Sequence, residues 1–165
     1  MPEFSKSYGF LAVLTGLIGA FLVLGLDNVF KPFMPPAKQA TDLTISLWKR
    51  ALASIYGGIT EELLLRLFLM TLVVWLVAKV TRSGVAIPAW VFWFGIISTA
   101  ILFGLGHLPA TAGIWPLTAI VITRAIVLNG VLGLAFGFLY WKAGLEYAML
   151  AHFLADIVLH VFLGS

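Results

Sequence analysis

The stretch GITEELLLRLFLM, residues 58–70, places three charged side chains inside an otherwise uncharged and mostly apolar run. They are Glu61, Glu62 and Arg66. A charged side chain at the centre of a membrane-spanning helix costs about 2.5–3.5 kcal/mol on insertion scales. Ionisable groups kept at such a depth are functional candidates by default, so this stretch is the starting point for both the fold and the site.

The rest of the chain has the composition of a membrane protein. Of its 165 residues, 62% are hydrophobic and 10% are charged, and the mean hydropathy is +1.08. Soluble domains carry about 25% charged residues, so most of this surface must face lipid. The net charge of +3 is small and does not indicate nucleic acid as a partner. The absence of cysteine excludes disulfides and thiolate chemistry.

Five apolar runs approach the roughly 20 residues that a helix needs to cross a bilayer. They cover residues 8–26, 52–78, 87–105, 115–140 and 147–163. Because lipid offers no partner to a backbone amide, each run should be a helix. The first is too long for the core of a cleaved signal peptide, so we interpret it as a retained span. The sequence predicts an all-α fold: a polytopic membrane helix bundle of about five transmembrane helices in one domain, residues 1–165.

The connecting segments add three expectations. Residues 27–42 hold three prolines and predict an extended surface loop. Residues 43–50 end in Trp48, Lys49 and Arg50, which favours an additional interfacial helix at the headgroup level. Glycines at 130, 133 and 137 have the small-residue spacing typical of close helix packing.

Threading the five spans across the membrane brings ionisable residues from four of them to a similar depth. We call the face where the first span begins side one and the opposite face side two. The residues that fall between mid-membrane and side two are Glu61, His107, Arg124, His152, Asp156 and His160. Such clustering predicts one polar cavity that opens toward side two.

Helical spacing separates the roles of the charges in the opening stretch. Glu62 and Arg66 are four residues apart, so they share a helix face and can form an ion pair. Glu61 is rotated by about 100° from Glu62 in a regular helix, so the two carboxylates need not do the same job. Arg124 is expected to neutralise Asp156 or Glu61, or to contact a substrate carboxylate.

Three short motifs occur in order on separate predicted spans. EELLLR at 61–66 fits the pattern EExxxR, FGLGH at 103–107 fits FxxxH, and HFLAD at 152–156 fits HxxxN/D. Together they resemble the CPBP family, the CAAX-protease and bacteriocin-processing membrane proteins that are also called the Abi family. The resemblance covers a core of about residues 50–162. It implies a glutamate-dependent intramembrane endopeptidase, an integral protein of the plasma (cytoplasmic) membrane.

The resemblance also implies roles for individual residues. Glu61 and His107 would position and deprotonate the attacking water, and His152 and Asp156 would line the oxyanion side. The supporting residues would be Glu62, Arg66 and Arg124.

Two positions depart from the family's pattern. Leu67 stands where many members have Gly, and Asp156 stands where the prenyl-protease branch has Asn. An Asn amide can donate to an oxyanion and an ionised Asp cannot, so Asp156 must be protonated or must orient His152 or another donor. The departure bears on the prenyl-protein substrate more than on hydrolysis.

Several alternatives remain open at this stage. We favour a site without metal or other cofactor; the alternative is a zinc ion held by Glu61, His107 and His152. The expected partners are a peptide or membrane-protein substrate and the lipid bilayer, and a homo-oligomer could complete the cavity of so short a chain. The competing functions are a non-catalytic membrane scaffold or bacteriocin-immunity protein, and a proton-linked transporter. Five spans without an internal repeat disfavour the transporter.

Overall fold

The fold is a bundle of helices, seen in a computed structural model that describes residues 5–38, 46–84 and 86–162. The helices are α1 (Lys6–Phe30), α2 (Leu47–Tyr56), α3 (Thr71–Val80), α4 (Ala89–Gly106), α5 (Leu108–Ile114), α6 (Ala119–Lys142) and α7 (Leu145–Asp156). A 3-10 turn extends α1, two π-helical segments join α2 to α3, and a third π-helical segment extends α7. These cover Lys31–Phe33, Gly57–Glu61, Leu63–Met70 and Ile157–Phe162. No strand occurs in the described ranges, so the all-α prediction is confirmed.

Five continuous helical stretches are long and apolar enough to cross a membrane, as the sequence predicted. They are Lys6–Phe33, Leu47–Val80, Ala89–Ile114, Ala119–Lys142 and Leu145–Phe162. In each of them, no more than 39% of an 18-residue apolar stretch is buried inside the bundle. The remaining apolar surface faces outward, where lipid is the medium that can cover it. The chain is therefore an integral membrane protein.

The second span is longer than predicted. It begins at Leu47, because α2 continues into the π-helical region and from there into α3 without a break. Arg50 donates from Nη1 to the carbonyl oxygen of His160 at 3.2 Å, so α2 packs against the end of the fifth span. The separate interfacial helix expected over residues 43–50 is thus, from Leu47 on, the first turn of this span. Residues 43–45 lie outside the described residues.

The predicted loop after the first span begins later than residue 27. α1 continues through Asp27 to Phe30, and the first proline of the segment, Pro32, lies in the 3-10 turn that follows. Asp27 remains in the helix because its carboxylate has a partner in the bundle, Arg124 of α6. Residues 39–42 of the predicted loop lie outside the described residues.

Small residues set the spacing between the helices. The buried core between α1, α6 and α7 consists mainly of alanine and leucine. The contact between α4 and α6 is also close: a Cβ added at Gly133 would lie 3.0 Å from the Cα of Ala100, and one at Gly137 would lie 3.1 Å from a side-chain carbon of Ile96. The predicted close packing at these two glycines is confirmed. Helices that approach this closely gain dispersion contacts, which drive association in lipid, where the hydrophobic effect is absent.

Gly104 offers a test of the α4–α6 contact. A Cβ at Gly104 would lie 2.5 Å from the Cα of Ile126, and a backbone atom cannot move aside as a side chain can. Gly104→Ala should therefore force the two helices apart and lower the free energy of unfolding by about 1–3 kcal/mol. We expect a fall of several degrees in the apparent Tm of the detergent-purified protein.

Gly106→Ala is the matched control, because nothing lies within 4 Å of a Cβ at Gly106 in the same helix. It should leave the Tm unchanged or raise it slightly. Equal Tm values for the two variants would contradict this packing.

Candidate active site

A buried carboxylate, Glu62, connects the second span to the fifth. Its Oε2 accepts from Nε of Arg66 at 3.1 Å, and its Oε1 lies 2.9 Å from Nδ1 of His152 in α7. The side chains of Glu62 and Arg66 are fully buried, and that of His152 is 3% exposed. The predicted ion pair between Glu62 and Arg66 is confirmed, whereas the sequence did not predict the contact with His152. Because a carboxylate only accepts, Nδ1 of His152 carries the hydrogen of this bond, and Nε2 faces other groups.

Two further carboxylates lie near the free nitrogen of His152. Oε2 of Glu61 lies 3.8 Å from Nε2, and Oδ2 of Asp156 lies 3.7 Å from it. Both separations are too long for a direct hydrogen bond, and a polar gap of this size is one that a water molecule can bridge. The imidazole of His152 is thus surrounded by three carboxylates from two spans.

Glu61 and Glu62 lie in a stretch whose backbone is π-helical on either side of Glu62. Its i→i+5 hydrogen bonds widen the turn, and such segments are frequent at functional sites. The regular-helix rotation of about 100° separated Glu61 from Glu62, but in the structure both reach the same ring, one at each nitrogen. They differ in environment, since the Glu61 side chain is 27% exposed and that of Glu62 is 0% exposed. The two carboxylates thus differ in burial, and their different jobs stay a prediction.

One cavity of about 370 Å³ collects the ionisable residues that threading placed at a common depth. Its lining includes Glu61, His107, Arg124, His152, Asp156 and His160, together with Asp27, Tyr56, Gly57, Phe103, Asn129 and apolar side chains. Most of these residues come from the side-two halves of their helices, and His152 lies near the middle of the fifth span, so the structure brings the predicted residues together in one cavity. The role of each residue there stays a prediction.

His107 lies where the third span bends, between the end of α4 and the start of α5. Its Nδ1 is 2.9 Å from the carbonyl oxygen of Phe103, which can only accept. Nδ1 therefore carries the hydrogen, and in the neutral ring Nε2 is an acceptor. The ring of Phe103 stands edge-on to His107 at 4.7 Å and to His152 at 5.8 Å, and it lies 5.9 Å from the guanidinium of Arg66. Phe103 thus packs the three motifs against one another.

Two cavity-side contacts had not been expected from the sequence. Phe136 of α6 stacks on His152, with ring centroids 4.7 Å apart and planes 21° apart, and it lies outside all three motifs. Gly57 faces Asp156, because a Cβ at this position would collide with Oδ2 of the carboxylate. The only sequence signal was the glycine pair at 57–58 directly before the charged stretch.

Arg124 has a different partner from the one expected. Its guanidinium binds Oδ1 of Asp27 through Nε at 2.7 Å and Nη2 at 2.6 Å, so the expected neutralisation of Asp156 or Glu61 is wrong. Asp27 was missed because the loop was predicted to begin there. The signal that could have found it is the opposite charge at the same depth: Asp27 ends the first apolar run on side two, near where the fourth span enters.

These features define a class of protein: a membrane helix bundle with a cavity in which carboxylates and histidines from four spans meet. A family model described as type II CAAX prenyl endopeptidase Rce1-like matches residues 43–158, more than half of the chain. The chain belongs to this family of membrane proteases, in agreement with the resemblance found in the motifs. No curated protein and no solved structure matched the chain. The match contains all three motifs, and α1 lies outside it.

The two departures from the family's motifs have different surroundings. Leu67 points outward and is 48% exposed, so a large side chain at this position meets lipid and leaves the cavity unchanged. Asp156 lies between two histidines, with Oδ2 3.7 Å from Nε2 of His152 and Oδ1 3.9 Å from Nε2 of His160. Leu67 therefore lies outside the cavity, whereas Asp156 is one of its lining residues.

Gly57→Ala should displace the carboxylate of Asp156 without altering any ionisable group. A misplacement of about 1 Å at a reacting centre can lower the rate on the order of 10²-fold. We expect a loss of that order in peptide cleavage, measured per mole of protein that elutes as a monodisperse peak. The control is Gly25→Ala in α1, where nothing lies within 4 Å of the added Cβ. Full activity of Gly57→Ala would show that the position of Asp156 is unimportant.

Removing one partner of the buried pair should cost more than removing both. Glu62→Gln leaves the guanidinium of Arg66 buried and uncompensated, which typically costs about 3–5 kcal/mol. In the double variant Glu62→Gln/Arg66→Met no charge remains, so its Tm should lie above that of Glu62→Gln. Thermal unfolding in one detergent compares the two. A double variant less stable than Glu62→Gln would mean that the buried charge is not the cause of the loss.

Proposed function

We propose that the protein hydrolyses peptide bonds at the membrane with a water molecule activated by Glu61. The observation that carries this proposal is the position of Glu61 in the cavity. Its carboxylate is partly exposed there, and Oε2 is 3.8 Å from Nε2 of His152, a gap that one water can bridge. Glu62, by contrast, is sealed in the core by Arg66 and His152.

The proposed reaction uses only side chains that line the cavity or contact His152. Oε2 of Glu61 takes a proton from the water while the oxygen of the water forms a bond to the carbonyl carbon of the peptide. Nε2 of His107, the acceptor nitrogen of that ring, holds the same water from the third span. Glu61 then returns the proton to the leaving nitrogen as the carbon–nitrogen bond breaks, which leaves a carboxyl group and an amine. Proton transfer of this kind contributes typically 10²–10⁴-fold to a rate.

The negative charge that develops on the carbonyl oxygen needs a donor. In this proposal His152 is an imidazolium with a hydrogen on each nitrogen: Nδ1–H donates to Glu62, and Nε2–H donates to the carbonyl oxygen. Phe136 fixes the plane of the ring by stacking on it. Asp156 acts by orienting His152, which is the role left for a carboxylate where the prenyl-protease branch has Asn. A donor that is already in place when the charge develops is usually the largest single contribution to such a reaction.

The proposed substrate is a peptide or a membrane protein that enters from side two. The cavity of about 370 Å³ lies in that half of the bundle, and its lining combines a charged inner surface with apolar side chains. A substrate without a prenyl group fits this proposal, since Asp156 departs from the prenyl-protease pattern. We also propose the plasma membrane as the location, which fractionation of the host's membranes would test.

Glu61→Gln should abolish cleavage, because an amide cannot accept the proton of the water. We expect a loss of at least 10³-fold on a peptide library, with Tm and elution volume unchanged since Glu61 is not part of the buried pair. Glu146→Gln is the control, an exposed carboxylate in the first turn of α7 that does not line the cavity. Full activity in Glu61→Gln would refute the proposed base. Peptide binding without cleavage by the wild type would favour a non-catalytic scaffold.

We propose a metal-free reaction. In residues 5–38, 46–84 and 86–162, no three His, Asp or Glu side chains are arranged to hold a metal ion. The expected result is that a zinc chelator leaves the cleavage rate unchanged and that added zinc does not increase it. Inactivation by the chelator, reversed by zinc, would favour the alternative in which Glu61, His107 and His152 bind the metal.

A further inference from the structure

A second concave site lies on the opposite half of the bundle, at side one. It is a groove of about 470 Å³ between α3, α4 and α6, lined by Met70, Thr71, Val74, Trp75, Ala78, Ile87, Phe92, Tyr140 and Trp141. No cavity-lining residue of the candidate active site is among them. The groove is large enough for a substantial ligand, since small-molecule sites are typically about 300–1,000 Å³.

The interior of the groove suits an acyl chain. Met70 and Ala78 are eight residues apart along the second span, so the groove extends for about 12 Å along the membrane normal. Its two hydroxyl groups are already satisfied, because Thr71 Oγ1 and Tyr140 Oη lie 2.8 Å apart and Thr71 Oγ1 also donates to the carbonyl of Arg66 at 3.1 Å. The two hydroxyl groups of the groove therefore do not require a polar ligand.

Two lysines lie next to the groove against tryptophans that line it, although neither lysine is itself a lining residue. Nζ of Lys142 lies 3.5 Å from the ring centroid of Trp141, and Nζ of Lys79 lies 4.8 Å from that of Trp75, so each ammonium lies against an aromatic wall of the groove. Among the described residues, no carboxylate lies within salt-bridge distance of either lysine. Cation–π contacts hold both ammonium groups near the groove, which lowers the conformational cost of binding an anion there.

We propose that this groove binds an anionic phospholipid of the side-one leaflet. One acyl chain lies along the apolar interior, and the phosphate lies between the ammonium groups of Lys79 and Lys142. The charge of the headgroup distinguishes the two classes of lipid. A zwitterionic lipid has the same acyl chains, but the cationic part of its headgroup would lie next to two lysines. A basic residue near the membrane surface contributes about 1 kcal/mol to the binding of anionic lipid, which corresponds to about fivefold in affinity.

The test uses the full chain in a neutral detergent, with lipid binding measured by native mass spectrometry and by the Tm. Phosphatidylglycerol should bind and should raise the Tm by several degrees relative to phosphatidylcholine with the same acyl chains. Glycerol phosphate, which has the anionic headgroup without the chains, should have no effect at equal concentration. Lys79→Gln and Lys142→Gln should each weaken binding of phosphatidylglycerol about fivefold, and the double variant about 25-fold.

Lys49→Gln is the matched control. Lys49 also lies against a tryptophan, with Nζ 5.6 Å from the ring centroid of Trp48, but it is at the start of α2, and Trp48 does not line the groove as Trp75 and Trp141 do. It should bind phosphatidylglycerol as the wild type does. Equal binding of both lipids, or equal loss in the control and in the Lys79 and Lys142 variants, would overturn the proposal. A full effect of glycerol phosphate would instead identify a plain phosphate site.

Discussion

The contact on which the site depends is the pair of hydrogen bonds that Glu62 makes inside the membrane, one to Arg66 and one to His152. Each partner alone would be costly: a charge in lipid or a buried unpaired polar group is destabilising by several kcal/mol. Joined, they hold the second and fifth spans in one register and turn a single nitrogen of His152 toward the cavity. Nη1 and Nη2 of Arg66 have no hydrogen-bond partner among the described residues, so this arrangement is not fully satisfied. Glu62 therefore fixes the positions of Arg66 and His152, but the two unsatisfied nitrogens of Arg66 lower the stability of the fold.

The sequence was sufficient for the fold class and for the place of the cavity. Apolar runs of the right length specify spans because lipid allows few other structures. Threading by length then sets the depth of each ionisable residue, which is why Glu61, His107 and His152 could be placed together. The ends of the spans were less well predicted, as at Leu47 and Asp27. There the helix continues because of contacts with other spans, and those contacts are not visible in local composition.

Side-chain directions were the part that could not be read from the sequence. Glu61 and Glu62 approach different nitrogens of the same His152 ring, and the backbone on either side of Glu62 is π-helical. No local pattern in the sequence distinguishes π from α here. The predicted partner of Arg124 was wrong because Asp27 had been placed in a loop. Pairing across spans depends on tertiary contacts, which motif spacing within one span does not report.

The position of α1 outside the matched region has a consequence for how this protein could diversify. Residues 43–158 carry Glu61, His107, His152 and Asp156, while α1 contributes Val23, Leu24 and Asp27 to the lining of the cavity. Shape and charge at the entrance are thus encoded in a different part of the chain from the reactive groups. Under the proposed function, substitutions at Val23 or Leu24 would change the lining of the cavity without replacing any of the proposed reactive groups.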